Sequence, residues 1–159
     1  MPSFILTFGL ILLPLGGFAQ GTSIALGGIQ QDTSQPVEVS ADNLSVDQEN
    51  GTAIFSGNVV IGQGEMRLAA DRVLVVYAAD QSRIQRLEAS GGVTLVTGPD
   101  AAEAERADYD IDAGTVVMSG DVLLTQGNNA LTSDSMTVDL KTGSAQMQGR
   151  VKTVLQSRN

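Results

Sequence analysis

Ala53-Ile54-Phe55-Ser56-Gly57-Asn58-Val59-Val60-Ile61 decides the fold of this chain, because its centre is written three more times downstream. A glycine, one further residue and a valine recur at Gly91-Gly92-Val93, Gly120-Asp121-Val122 and Gly149-Arg150-Val151. The glycines fall 34, 29 and 29 residues apart. Each is preceded, 12 to 20 residues earlier, by an aspartate that follows a small residue: Asp42, Asp71, Asp108 and Asp134. An interval of this size is one supersecondary unit, too small to bury its apolar face alone, which must stack on its neighbours.

The residues between anchors identify the unit. Apolar side chains alternate with polar ones in Val37-Glu38-Val39, Met66-Arg67-Leu68-Ala69-Ala70 and Ala107-Tyr109-Ile111, the period that lines one face of a strand. Turn-forming residues separate these runs at Glu49-Asn50-Gly51, Gln63-Gly64, Gln126-Gly127-Asn128-Asn129 and Thr142-Gly143. No helical pattern intervenes, so the chain reads as all-β and antiparallel, in repeated strand-turn-strand units. Aligning the anchors sets Ala53, Phe55, Val116, Met118, Ala145 and Met147 inward, together with Val59, Ile61, Val122, Leu124, Val151 and Thr153. Ser56, Asn58, Ser119, Asp121, Gln148 and Arg150 then face out. The anchor glycines are expected at bends or bulges.

Residues 1–19 read as a secretory signal peptide with a short helical apolar core, cleaved after Ala19, although the first Lys or Arg of the chain is Arg67. Residues 20–35 read as a flexible arm or one short edge strand, 36–156 as a single β domain and 157–159 as a tail. The chain has no cysteine, so an exported domain would rest on its core alone, and 42% apolar residues make that feasible. A net charge of −9 without a basic stripe excludes a nucleic-acid footprint. Charge is also unevenly placed. From Gln20 to Met66 there are six acids and no base, and from Lys141 onward four bases and no acid, which suits attraction between one molecule's tail and another's head.

Absent chemistry narrows the function further. With no histidine, Ser-His-Asp and Cys-His nucleophile systems and His-ligated metal sites are excluded. Asp108-Tyr109-Asp110-Ile111-Asp112 imitates the start of a calcium loop, but Ala113 stands where glycine is needed and Ser119 where the bidentate glutamate is needed, so it reads as strand. Gly62-Gln63-Gly64 and Ser90-Gly91-Gly92 open no helix and carry no phosphate-binding lysine, so they read as turn and bulge glycines. A carbohydrate-cleaving site would need two inward carboxylates, whereas the alternation puts nearly all acids outside. Neither an enzyme nor a cofactor is indicated.

What remains is an apolar interior between two open edges. The candidate lipid-facing residues are Val37, Val39, Phe55, Val59, Ile61, Leu68, Val73, Val75, Tyr109, Ile111, Met118, Leu124, Met136 and Val138. Ordinary core packing is the alternative for each of them. Met66, Met118, Met136 and Met147 suit adaptable lipid contact and gap-filling alike.

Gln35-Pro36-Val37-Glu38-Val39 with Ala41-Asp42 opens a longer pattern: Phe55 to Ile61, Gln63-Gly64, Leu68, Ala70-Asp71, Val73, Val117 to Asp121 and Arg150 to Leu155. In that order and spacing the chain resembles the LptA, or OstA-like, family of periplasmic lipopolysaccharide-transport proteins. The resemblance implies an elongated, twisted antiparallel β-jellyroll that binds lipopolysaccharide. It implies a bridge between an LptC-like inner-membrane jellyroll and an LptD-like outer-membrane translocon, head-to-tail self-association, and Val37 and Val39 at the border of the lipid groove. A membrane-anchored LptC-like jellyroll and an edge-polymerising structural protein without lipid are the alternatives.

Overall fold

The structure, a computed structural model, describes residues 23–25, 33–80 and 82–156. The expected signal peptide helix, the tail at 157–159 and most of the expected arm lie outside these. Eleven strands form one antiparallel sheet: β1 Ser23–Ala25, β2 Glu38–Ser40, β3 Asn43–Asp47, β4 Thr52–Gln63, β5 Met66–Tyr77, β6 Ile84–Thr97, β7 Asp100–Asp110, β8 Thr115–Gln126, β9 Asn129–Asp139, β10 Ser144–Gln148 and β11 Lys152–Val154. The described residues contain no helix. Strands β4 to β10 follow one another in space as in sequence.

The first three anchors lie in the middle of strands β4, β6 and β8, and the fourth, Gly149-Arg150-Val151, lies between β10 and β11. Register slips between Ser56 and Val59, Ala69 and Arg72, Ser90 and Val93, Glu103 and Arg106, and Ser119 and Val122, so bulges cross the sheet at one level. At each anchor two successive residues are left-handed: φ is +79° and +48° at Gly57 and Asn58, and +84° and +47° at Gly120 and Asp121. A residue with a side chain pays about 1–2 kcal/mol for that conformation, which is why glycine leads each pair. The doubled left-handed step turns the strand and folds the sheet into two halves with their apolar faces together.

The first positions of the acidic partners explain why the glycine cannot carry a Cβ. A methyl group on Gly57, Gly91 or Gly149 would come within 2.8, 2.8 or 2.5 Å of an atom of Asp42, Asp71 or Asp134 respectively. The fourth pairing corrects the sequence expectation. Gly120 faces Glu105, not Asp108, with the closest approach 2.5 Å. The bulge of β7 falls between Glu103 and Arg106, so Ala104-Glu105 takes the place of Ala70-Asp71, while Asp108 stands three residues on, between Glu88 and Val117.

Side-chain ladders run the length of each half. Phe55, Val73, Ala89, Ala107, Met118, Met136 and Met147 are direct cross-strand neighbours in one half. Val39, Ile61, Leu68, Leu95, Ala102, Leu124 and Leu131 are such neighbours in the other. Burying each Val, Leu or Met side chain is worth about 1.5–3 kcal/mol, and these rows supply the core.

Both sheet edges are built from two short strands. On one side β3 pairs the first half of β4 and β2 the second; on the other, β10 and β11 pair the two halves of β9, and β1 lies outside β10. The acids from Glu38 to Glu65 and the basic C-terminal segment therefore sit at opposite ends of the sheet, while β1 joins the C-terminal end. Val151 and Thr153, expected inward, are exposed, because among the described residues no strand lies beyond β11.

A second recurring motif ends the strands. Asp47, Asp110 and Asp139 each precede a glycine by four residues, at Gly51, Gly114 and Gly143, and the carboxylate accepts backbone N–H bonds from the turn it opens. This settles the calcium-like stretch. The strand stops at Asp110, Ile111 to Gly114 form the turn, Asp110 caps it by accepting from the Ala113 N–H at 3.0 Å, and Asp112 pairs with Arg83. Among the described residues no cluster of acids is arranged to hold a metal ion.

Candidate functional site

Fourteen residues were expected to face the interior, and the fold brings all of them onto one surface. Val59, Ile61, Leu68, Val73, Val75, Tyr109, Met118, Leu124, Met136 and Val138 belong to the buried core. Val37, Val39, Phe55 and Ile111 pack against it but stay half-buried. The half-buried four cluster toward the β2 and β3 edge and the free ends of the strands, which makes this the accessible end of the apolar interior.

The exposed edge apolar residues continue the same surface. Leu44 and Val46 pair Phe55 and Ala53 in register, so they share the inner face, yet they are 56% and 59% exposed. Leu155, 69% exposed, and Val151 flank β11 and share the parity of Thr153, which pairs the buried Leu131 of β9. Of these four only Val151 was expected inward from sequence, although period-2 counting along Leu44-Ser45-Val46 would have placed Leu44 and Val46 inward too. The inner apolar surface thus reaches open edges at both ends.

Toward the free ends of β4 to β7 the lining turns polar. Gln63, Thr97 and Asp100 are buried in cross-strand succession through Met66. The Tyr109 hydroxyl donates to Gln63 Oε1 from the opposite half of the sheet. Gln63 Nε2 donates in turn to the carbonyl oxygens of Thr33, at 3.1 Å, and Gln35, at 2.9 Å. Burial pushes the Tyr109 phenol up to about 12, against the opposing pull of its bond to Gln63. Next to this tie a cavity of about 330 Å³ is lined by Pro36, Val37, Gln63, Arg83, Ile84 and Ile111 among others. Gln63 was read from sequence only as a turn residue, although it shares the inward parity of Val59 and Ile61.

Arranged this way, the interior is a packed apolar core along its ladders that turns polar at its mouth. Among the described residues no group of three or more acidic side chains is placed to hold a metal ion.

Comparison with known proteins agrees with this geometry. A protein of Rhizobium meliloti (strain 1021), named as uncharacterized, is 31% identical over 70% of this chain and 64% of its own. The lipopolysaccharide export system protein LptA of Escherichia coli (strain K12) is 33% identical over 40% of this chain and 34% of its own. The chain therefore spans less than two thirds of the curated relatives it matches. The crystal structure of LptH from Pseudomonas aeruginosa, described as the LptA-homologous periplasmic component of a lipopolysaccharide transport device, superposes with a TM-score of 0.71. It covers 80% of this chain and 99% of that one at 19% identity, a likeness of fold. The family described as LptA/(LptD N-terminal domain) LPS transport protein matches residues 38–144, and the chain belongs to that family.

Proposed function

We propose that this chain is a periplasmic lipopolysaccharide-binding bridge, exported by a cleaved signal peptide, that passes lipopolysaccharide from the inner membrane toward an outer-membrane translocon. Acyl chains lie along the ladders of Phe55, Met118 and Met136 in one half and Ile61, Leu68 and Leu124 in the other. The anionic sugar head stays at the mouth or in water, because burying unpaired charge is prohibitively unfavourable. Val37, Val39 and Ile111 border the entry. The single observation that carries this is an apolar inner surface running unbroken between two open edges.

The two edges receive jellyroll neighbours by strand addition, an LptC-like protein on the inner-membrane side and an LptD-like domain on the outer, and a second copy of this chain fits between them. The chain needs no cofactor and performs no covalent step. It only equilibrates occupancy, so direction is imposed by an energised partner.

Delipidated protein titrated with lipopolysaccharide tests the proposal. Saturable binding that weakens at least tenfold in Val39→Asp and Phe55→Asp, in protein that still unfolds cooperatively, supports it. Absence of saturable binding, or equal binding by folded variants, refutes it.

A further inference from the structure

The interior is apolar except where the two halves are tied together, and that exception has a specific shape. Gln63 and Tyr109 are each 1% exposed, lie on opposite halves of the sheet and are joined by a hydrogen bond across the mouth. The carboxamide of Gln63 then reaches out to two peptide carbonyls, those of Thr33 and Gln35. These belong to a stretch that precedes β2 and is in no strand.

We infer that Gln63 and Tyr109 form a binding site for the linkage carbonyl of an acylated amphiphile, and that the Thr33 and Gln35 carbonyls occupy it in the unloaded chain. This rests on the lipid-binding function proposed above. A peptide carbonyl and the ester or amide carbonyl that joins a fatty acid to its headgroup are the same kind of acceptor. Gln63 is buried, so anything that displaces residues 33–35 must return acceptors to its Nε2 or forfeit the bonds that Nε2 makes to them, while Tyr109, bonded to Oε1, holds the carboxamide in place. A bare hydrocarbon cannot do that. An acyl chain can, at its polar end and there only.

Geometry fixes the direction of the bound molecule. From Gln63 the apolar ladder leads inward through Ile61 and Val59, while Arg83 and the 330 Å³ cavity lie on the other side. Tails therefore point into the ladder, the linkage stands at the tie, and the headgroup emerges past Arg83. Residues 33–35 are held to the tie by a side chain reaching their backbone, so their release leaves the cross-strand ladders of β4 and β7 in place.

The test uses the full delipidated chain and two lysophosphatidylcholines of equal chain length, one with an ester linkage and one with an ether linkage that lacks the carbonyl. The ester lipid is expected to bind about five- to tenfold tighter, the range of one or two net hydrogen bonds. Gln63→Leu should bring the two affinities within about twofold of each other. Tyr109→Phe, which keeps the ring in place, should at least halve the ratio and carries the same test where Gln63→Leu fails to fold. Amide exchange in residues 33–37 should speed up on adding the ester lipid. Equal affinities in the unaltered chain, or a ratio indifferent to both folded variants, overturns this inference and leaves the lipid-binding function standing. Absence of binding to either lipid overturns this inference as well, while the lipid-binding function stands or falls separately on the lipopolysaccharide titration.

Discussion

Gly91 and Gly92 offer a controlled measurement of what the corner of each strand demands. The two are adjacent, with φ of +81° and +83°, so alanine at either position suffers the same left-handed strain of about 1–2 kcal/mol. Alanine also restricts the unfolded chain, which returns about 0.4–1 kcal/mol in both cases. Their surroundings differ completely. A Cβ at Gly92 meets nothing within 4 Å, whereas one at Gly91 lands 2.8 Å from Asp71 Cβ and 3.0 Å from its Oδ2. The Cβ of Asp71 is fixed by its own backbone and cannot swing aside, so the overlap adds about 1–3 kcal/mol of overpacking. Gly92→Ala should therefore destabilise by about 1 kcal/mol and Gly91→Ala by about 2–4 kcal/mol. Urea unfolding with the slope held constant measures both. Asp71→Gly in the Gly91→Ala background should recover most of the gap between them. If Gly91→Ala lies within about 0.5 kcal/mol of Gly92→Ala, close approach of the acid is not why glycine occupies the corner.

Three further outcomes follow from other parts of the molecule. Because the folded Tyr109 phenol titrates near 12 and the unfolded one near 10, the folded state holds its proton longer, so this group's contribution is intact below pH 10 and is lost as pH rises toward 12. The loss amounts to about 2–3 kcal/mol, and Tyr109→Phe should flatten that alkaline fall, as followed by denaturant midpoints against pH. Arg150→Ala should destabilise by less than about 1 kcal/mol, because its ion pair with Asp134 is exposed; a larger effect in thermal melts would assign the pair a structural role. Self-association through the acidic β2–β3 edge and the basic end bearing Lys152 should weaken as salt shortens the screening length, and Lys152→Glu should weaken it further in sedimentation.

The legible parts of the sequence were those with a period. Alternation at Val37-Glu38-Val39 and around Phe55 and Ile61 gave both strand and face, since a strand with one buried side has no other way to arrange its side chains. The glycines of the repeat marked bulges as expected. What the repeat hid was the identity of its acidic partner. A spacing of 15 residues relates Asp42 to Gly57 and Asp134 to Gly149, and the same spacing before Gly120 lands on Glu105. Glutamate fills the slot as well as aspartate, so matching by residue type chose Asp108 instead. Parity alone also could not tell an interior position from an edge one: Leu44, Val151 and Thr153 have the correct face, but burial depends on whether another strand lies beyond them. Gln63 was passed over for a related reason. Its parity is inward, but only the third dimension reveals Tyr109 coming to meet it from 46 residues away.

The backbone of each strand from β5 to β8 runs beside only the strand before and the strand after it, and every one bends at the same level. The span of the molecule is consequently set by counting hairpins. Inserting one more repeat of about 29 residues at a tip would lengthen the body by about 10 Å, two interstrand spacings, without repacking any existing layer. Gene duplication thus offers such a chain a ruler graduated in whole hairpins, by which its reach can be matched to the width of the gap it must cross.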